Sequence, residues 1–145
     1  MQQQNDLSLG MERYFGATPA QVFAAWVDPR AKAAWFAKDA RVGIGGTGFR
    51  EGGQETLICL ENGRAFLLEL TYNRIIEAEY IAYRCDTYVA GRLVSISTVT
   101  VTFGACGAGT HMCVYEDVVP VIGQKVVREG EPRTLSVARA AAGSC

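Results

Sequence analysis

Glu116 is where this sequence offers a carboxyl group suited to proton transfer. It closes an alternating run, Thr110 to Glu116, whose phase carries Met112, Val114 and Glu116 to one side. A carboxyl drawn into an apolar interior has its pKa raised, the usual preparation of a general acid or base. The plainer alternative is a strand-end carboxylate bonded to backbone or to Arg41. Tyr72, Tyr83, Ser95 and Ser97 fall in the inward phase of other runs. Buried polar groups of this kind need partners in protein, water or ligand. Nucleophilic catalysis has less support. His111 is the sole histidine, and its phase opposes that of Met112, directing it outward and away from Ser95 and Ser97.

Three further patterns carry no site. His111 and Cys113 sit two apart and share a strand face, but no second ligand pair with zinc spacing accompanies them, so no metal site is expected. The five cysteines (Cys59, Cys85, Cys106, Cys113 and Cys145) are odd in number and lack a CxxC pair, and they read as buried reduced thiols. Gly43-Ile44-Gly45-Gly46-Thr47-Gly48 matches GxGxxG, yet a dinucleotide site needs a helix directly after it. Phe49-Arg50-Glu51-Gly52-Gly53 follows instead, so the segment reads as a glycine-rich strand edge or bend, and no cofactor is expected.

The elements that must position these groups come from periodicity and turn chemistry. Leu7 to Phe15 reads as a strand. Thr18 then supplies an N-cap with Pro19 at the first helical position, and Val22, Phe23, Trp26 and Val27 form one apolar stripe. Asp28-Pro29 caps a second short helix, whose buried face is expected to be Ala31, Ala34 and Trp35. Strands follow over Thr56–Leu60, Ala65–Tyr72, Glu79–Asp86, Leu93–Phe103 and Thr110–Glu116. Asn62-Gly63, Ala90-Gly91 and the segment Gly104 to Gly109 separate them. Consecutive strands without crossover helices must pair antiparallel. Within them Phe66, Leu68, Leu70 and Tyr72, then Ile81, Tyr83 and Cys85, then Ser95, Ser97, Val99, Val101 and Phe103 look inward. Pro132 limits the last element: a helix is expected to begin near Pro132–Arg133 and to run no further than about Ala142.

The whole chain bounds the reading. With 145 residues it is expected to be one domain, residues 1–145, long enough to hold a core without staples. Apolar residues at 49% and charged residues at 20% describe an ordinary globular protein rather than a disordered one. A formal charge of −1 offers no basic surface for nucleic acid. The longest apolar run, Val22 to Val27, is far short of the ~20 residues of a membrane span, and the N-terminus carries no secretory pattern. The expected location is the cytoplasm.

Val22-Phe23-Ala24-Ala25-Trp26-Val27-Asp28-Pro29 followed by Trp35-Phe36 resembles the opening of SRPBCC (START-like) proteins. Within them it is most similar to the group named after the activator of the ninety-kilodalton heat-shock protein ATPase. Asp39 to Gly43, Tyr72 with Ile75-Ile76, Ile81 and Tyr83, Arg92 to Phe103, Gly109-Thr110, Glu116, Gly123 and Arg128-Glu129-Gly130 continue the pattern in order, over roughly residues 7 to 130. The resemblance implies an α+β helix-grip fold: a curved antiparallel sheet around a C-terminal helix, with two short helices after the first strand. It also implies a hydrophobic cavity between sheet and helix.

Joined to the strand phases, this gives a candidate ligand-binding set of Trp35, Phe66, Leu68, Leu70, Tyr72, Ile81, Tyr83, Ser97, Val99, Val101, Phe103, Met112, Val114 and Glu116. Trp26, Trp35 and Phe36 read first as core aromatics, with Trp35 also counted in the cavity. The expected function is binding of a hydrophobic or aromatic small molecule without catalysis. Two alternatives stand beside it. One is an enzyme of the cyclase, aromatase or dehydratase type using Glu116 or Tyr83, as a resemblance to polyketide cyclases implies. The other is a co-chaperone-like protein, implied by the name of the group. Expected partners are the small molecule and, on base rates for symmetric assemblies, a second copy in a homodimer; nucleic acid and membrane are not expected.

Overall fold

The computed structural model describes residues 7–36, 41–42, 47–61 and 63–121. The expected C-terminal helix, with Gly123, Arg128-Glu129-Gly130 and Cys145, lies outside the described residues, as do Asp39-Ala40 and Gly43 to Gly46.

Strand β1 spans Leu7–Phe15 and is followed by α1, Pro19–Val27. Thr18 caps α1 as expected. Its hydroxyl accepts from the Gln21 amide, and the Gln21 side chain accepts from the Thr18 amide, so both ends of a capping box are closed. The Asp28 carboxylate accepts from the Arg30 amide at 3.0 Å and starts α2, Pro29–Phe36. Helix α1 buries Val22, Phe23 and Trp26, but Val27, expected in the same stripe, is exposed. It stands in the last turn, where it borders an open groove instead of the sheet.

Six strands follow: β2 (Arg41–Val42), β3 (Gln54–Glu61), β4 (Arg64–Ile76), β5 (Tyr80–Val89), β6 (Arg92–Cys106) and β7 (Gly109–Pro120). The sheet order is β1-β7-β6-β5-β4-β3-β2, every neighbouring pair being antiparallel. Strands β2 to β7 are thus a simple meander, and β1 returns to pair along β7. The strands run longer than the alternation alone marks, because ladder pairing continues past Tyr72 on β4 and past Glu116 on β7, as at Ile75↔Ile81 and Ser97↔Val118. At the β5–β6 turn Val89 pairs with Arg92, and both central residues, Ala90 (φ 52°) and Gly91 (φ 77°), take positive φ. That is the backbone of a two-residue hairpin turn matched to strand twist.

The inward phases hold across the sheet. Leu68, Leu70, Tyr72, Ile81, Tyr83, Val99, Val101, Met112 and Val114 are all buried, and so are Ser95, Ser97 and Glu116. Gly48 (φ 91°) leads through turns into β3 and not into a helix, so the context that a dinucleotide site requires is missing. Among the described residues no helix is long and apolar enough to cross a membrane.

Candidate functional site

Against the inner face lies a shell of aromatic rings. Trp26 and Phe23 descend from α1. Trp26 meets Tyr83 with ring centroids 6.2 Å apart and Phe103 at 6.5 Å, and Phe23 stands edge-on to Phe103 at 5.5 Å. Phe49, from the segment before β3, packs edge-on to Tyr72 at 4.7 Å and to Phe23 at 5.8 Å. Tyr72 and Tyr83, paired across β4 and β5, close the shell at 5.7 Å.

Inside that shell the structure places a lysine. Lys32 of α2 is fully buried, and its Nζ donates to Glu55 Oε1 and to the Tyr72 hydroxyl, each at 2.6 Å. The Tyr72 hydroxyl in turn donates to Glu55 Oε1 at 2.6 Å, closing a triangle of polar atoms. Nζ also lies 4.9 Å from the centre of the Phe49 ring and 5.0 Å from that of Tyr72, where the negative ring faces attract a cation. Local geometry explains the meeting. Glu55 pairs with Leu70 on β4, so Tyr72, two residues on, is its diagonal neighbour on the same face. The Lys32 amide bonds the Asp28 carbonyl at 2.8 Å, which fixes the first turn of α2 above that face. Burial lowers the pKa of Lys32, against the opposing pull of the Glu55 charge. Burial, reinforced by the Glu55 carboxylate, pushes the Tyr72 phenol above its ordinary range.

A second polar group occupies the other half of the face. Ser97 pairs with Cys85, and Glu116 pairs with Val99, itself the partner of Tyr83. Ser95, Ser97 and Glu116 are each 3% exposed. The buried Cys85 thiol is pushed above its ordinary pKa, chiefly by desolvation and next by the Glu116 charge.

Of the expected cavity residues, Leu68, Leu70, Tyr72, Ile81, Tyr83, Ser97, Val99, Val101, Phe103, Met112, Val114 and Glu116 share this buried inner face. Phe66 packs against the core but is only half-buried, and it borders a groove of about 540 Å³ formed with Ile58, Leu67 and Tyr88. The side chain of Trp35 lies outside the described residues. A larger open groove, about 680 Å³, runs between α1, the segment Phe49-Arg50-Glu51 before β3 and the end of β4, and Phe23 and Phe49 are among the side chains that line it.

Sequence reasoning missed Lys32 and Glu55. The signal for Glu55 was present, since it shares the phase of Leu57 and Cys59. For Lys32 the helical spacing points elsewhere, to Ala31, Ala34 and Trp35 as the buried face. Ala31 is half-buried and the neighbouring lysine is the enclosed residue, because α2 turns that side of its first turn toward Glu55. One further correction concerns the thiols. Cys106 and Cys113 are half-buried rather than buried. His111 points outward, as its strand phase implies, and its Nε2 meets Glu12 Oε1 at 2.8 Å across the β1–β7 pair.

A curved antiparallel sheet with two short helices after its first strand matches the helix-grip fold of the SRPBCC (START-like) superfamily. The solved structures agree. An uncharacterized protein from Rhizobium leguminosarum is similar with a TM-score of 0.72 and 30% identity, over 85% of this chain and 83% of that one. Mll3558 protein from Rhizobium loti is similar with a TM-score of 0.72 and 21% identity, over 86% of each chain. Ara h 8.0201 shares the fold at 14% identity, with a TM-score of 0.67 over 94% of this chain and 91% of that one. A family model described as Activator of Hsp90 ATPase homolog 1-like protein matches residues 16–138, and the chain belongs to that family. No curated protein matches. The family resemblance legible in the sequence is thereby borne out.

Proposed function

We propose that the protein binds a hydrophobic or aromatic small molecule against the inner face of its sheet, with the Lys32–Glu55–Tyr72 triangle as the polar anchor. The observation that carries this reading is the lysine itself. A fully buried ammonium group, held by one carboxylate and one phenol inside an aromatic shell, is costly to desolvate and adds little to stability compared with an apolar core. Apolar pockets with a few convergent polar groups are the usual form of a small-molecule site. The open groove lined by Phe23 and Phe49 supports an approach route, since Phe49 both lines it and has its ring centre 4.9 Å from Lys32 Nζ. Native mass spectrometry of protein purified from its own host, together with titration by the apolar dye 1-anilinonaphthalene-8-sulfonate, tests the reading. The expected result is a retained small molecule or a saturable dye site whose affinity changes in Phe49→Ala. A protein that is always empty and binds no apolar probe overturns it.

A second reading, proton-transfer catalysis of the cyclase, aromatase or dehydratase type, is favoured by one observation. Glu116 and Tyr83 are both buried on the inner face, and the Glu116 carboxylate acts on the neighbouring Cys85 thiol. Glu116→Gln keeps shape and removes proton transfer. Turnover of a substrate that survives the change unaltered excludes Glu116 from that role.

A further inference from the structure

The outer face of the β1–β7 pair gathers three metal-ligating side chains that the inner-face reading does not use. Glu12 lies directly opposite Cys113, and Tyr14 directly opposite His111, so the four form a two-by-two patch on one side of the ladder. His111 Nε2 is 2.8 Å from Glu12 Oε1 and 3.5 Å from Cys113 Sγ, and the three ligand atoms all lie within 4.8 Å of one another. The Tyr14 ring stacks on the imidazole at 4.5 Å with 9° between planes, which holds the ring nitrogen toward the other two donors. Glu12 is largely exposed and His111 about one-third exposed, so the patch opens to solvent.

We propose that Glu12, His111 and Cys113 form a three-ligand site for a zinc-type divalent transition-metal ion, with the fourth position open to water. The chemistry of the donor set is specific. A thiolate and an imidazole select borderline ions over calcium or magnesium, and one carboxylate completes a set of the kind zinc accepts. The geometry is close to what is needed. Ligands of one tetrahedral zinc ion stand ~3.3–3.6 Å apart, given bonds of about 2.0–2.3 Å. The histidine–cysteine separation already meets this, the histidine–glutamate contact has to open by roughly half an ångström, and the glutamate–cysteine pair, within 4.8 Å, has to close by up to about 1 Å. All three donors project from a continuous antiparallel ladder, so their spacing is set by register rather than by loop conformation. As an exposed ion pair alone, the Glu12–His111 contact contributes little. The imidazole binds through Nε2 with its proton carried on Nδ1, and the thiol proton of Cys113 leaves to solvent as the thiolate takes the ion, so one proton is released per metal bound by the neutral imidazole.

Cobalt(II) is the probe, because a thiolate ligand gives it a charge-transfer band in the near ultraviolet and tetrahedral coordination gives it intense visible bands. The expected result is both signals in the parent protein, displaced by zinc. The charge-transfer band is lost in Cys113→Ser, and zinc affinity falls at least about tenfold in Cys113→Ser, His111→Gln and Glu12→Gln, since removing even an outer-shell partner costs that much. The double variant Cys106→Ser, Cys145→Ser keeps the band. If serine unsettles the strand, as circular dichroism would report, Cys113→Val gives the same reading on a strand-forming side chain. A band that survives loss of Cys113, a band lost in the double variant, or parent-like zinc affinity in any of the three ligand variants overturns the site. None of these measurements touches the inner face, so this site and the small-molecule reading fail independently.

Discussion

Lys32 Nζ and Glu55 Oε1 meet at 2.6 Å with both side chains withdrawn from solvent, one from a helix of eight residues and the other from the first long strand of the meander. Neither charge has water to return to, so each depends on the other and on the Tyr72 hydroxyl between them. Lys32→Met is therefore expected to destabilise the fold by about 3–5 kcal/mol, because it leaves a buried carboxylate without its cation. Lys32→Met with Glu55→Met is expected to recover most of that loss, which urea denaturation of the three proteins measures. A neutral single variant would show that the pair is not a coupled unit.

Stability is expected to fall in alkali, with a sign fixed by the inner face. Cys85 and Tyr72 have folded pKa values raised above the ordinary 9.0 and 10.0. The unfolded chain therefore loses those protons first, and the stability they contribute below pH 9 is lost as pH rises. Lys32 acts oppositely: its lowered folded pKa makes the unfolded chain bind more protons up to 10.5, so stability gains there and then levels. Above 10.5 the two acids act alone. Removing one of them, in Cys85→Ala, is expected to make the decline shallower by about 1.4 kcal/mol per pH unit. Denaturant melts across the alkaline range, with unchanged slopes in the variant as the contrary result, check this.

Trp26 carries the packing between α1 and the sheet, being 1% exposed and in contact with Tyr83 and Phe103. Trp26→Ala is expected to cost about 3–5 kcal/mol in a denaturation experiment. Val27→Ala, one residue on but exposed, is expected to cost a small fraction of that.

At the β5–β6 turn an alanine occupies a backbone conformation that favours asparagine or glycine, with Ala90 at φ 52°. Ala90→Asn is expected to raise stability by about 0.5–1 kcal/mol, since it relieves the left-handed strain while creating the Asn-Gly pair that such hairpins prefer. A lower melting temperature in the variant would contradict the turn assignment. Thr18→Ala is expected to act the other way, by about 1 kcal/mol, through loss of the capping bond to Gln21.

Local physics wrote much of this fold into the sequence. Thr18-Pro19 and Asp28-Pro29 mark helix starts through capping and proline geometry. The period of two in Leu68, Leu70 and Tyr72, and again in Val99, Val101 and Phe103, marks the buried side of strands. The inward serines and Glu116 followed from phase alone, because a strand cannot turn one residue over without turning all of them. What the tertiary structure decided was which of these faces meet. Lys32 is an ordinary surface residue by type, and only the docking of α2 over Glu55 and Tyr72 encloses it. Glu12 and His111 are 99 positions apart, and only the return of β1 along β7 places one carboxylate beside the single histidine and its neighbouring thiol. Capping and alternation are set by neighbours within a few residues, whereas strand order and helix docking are set by burial summed over the whole chain.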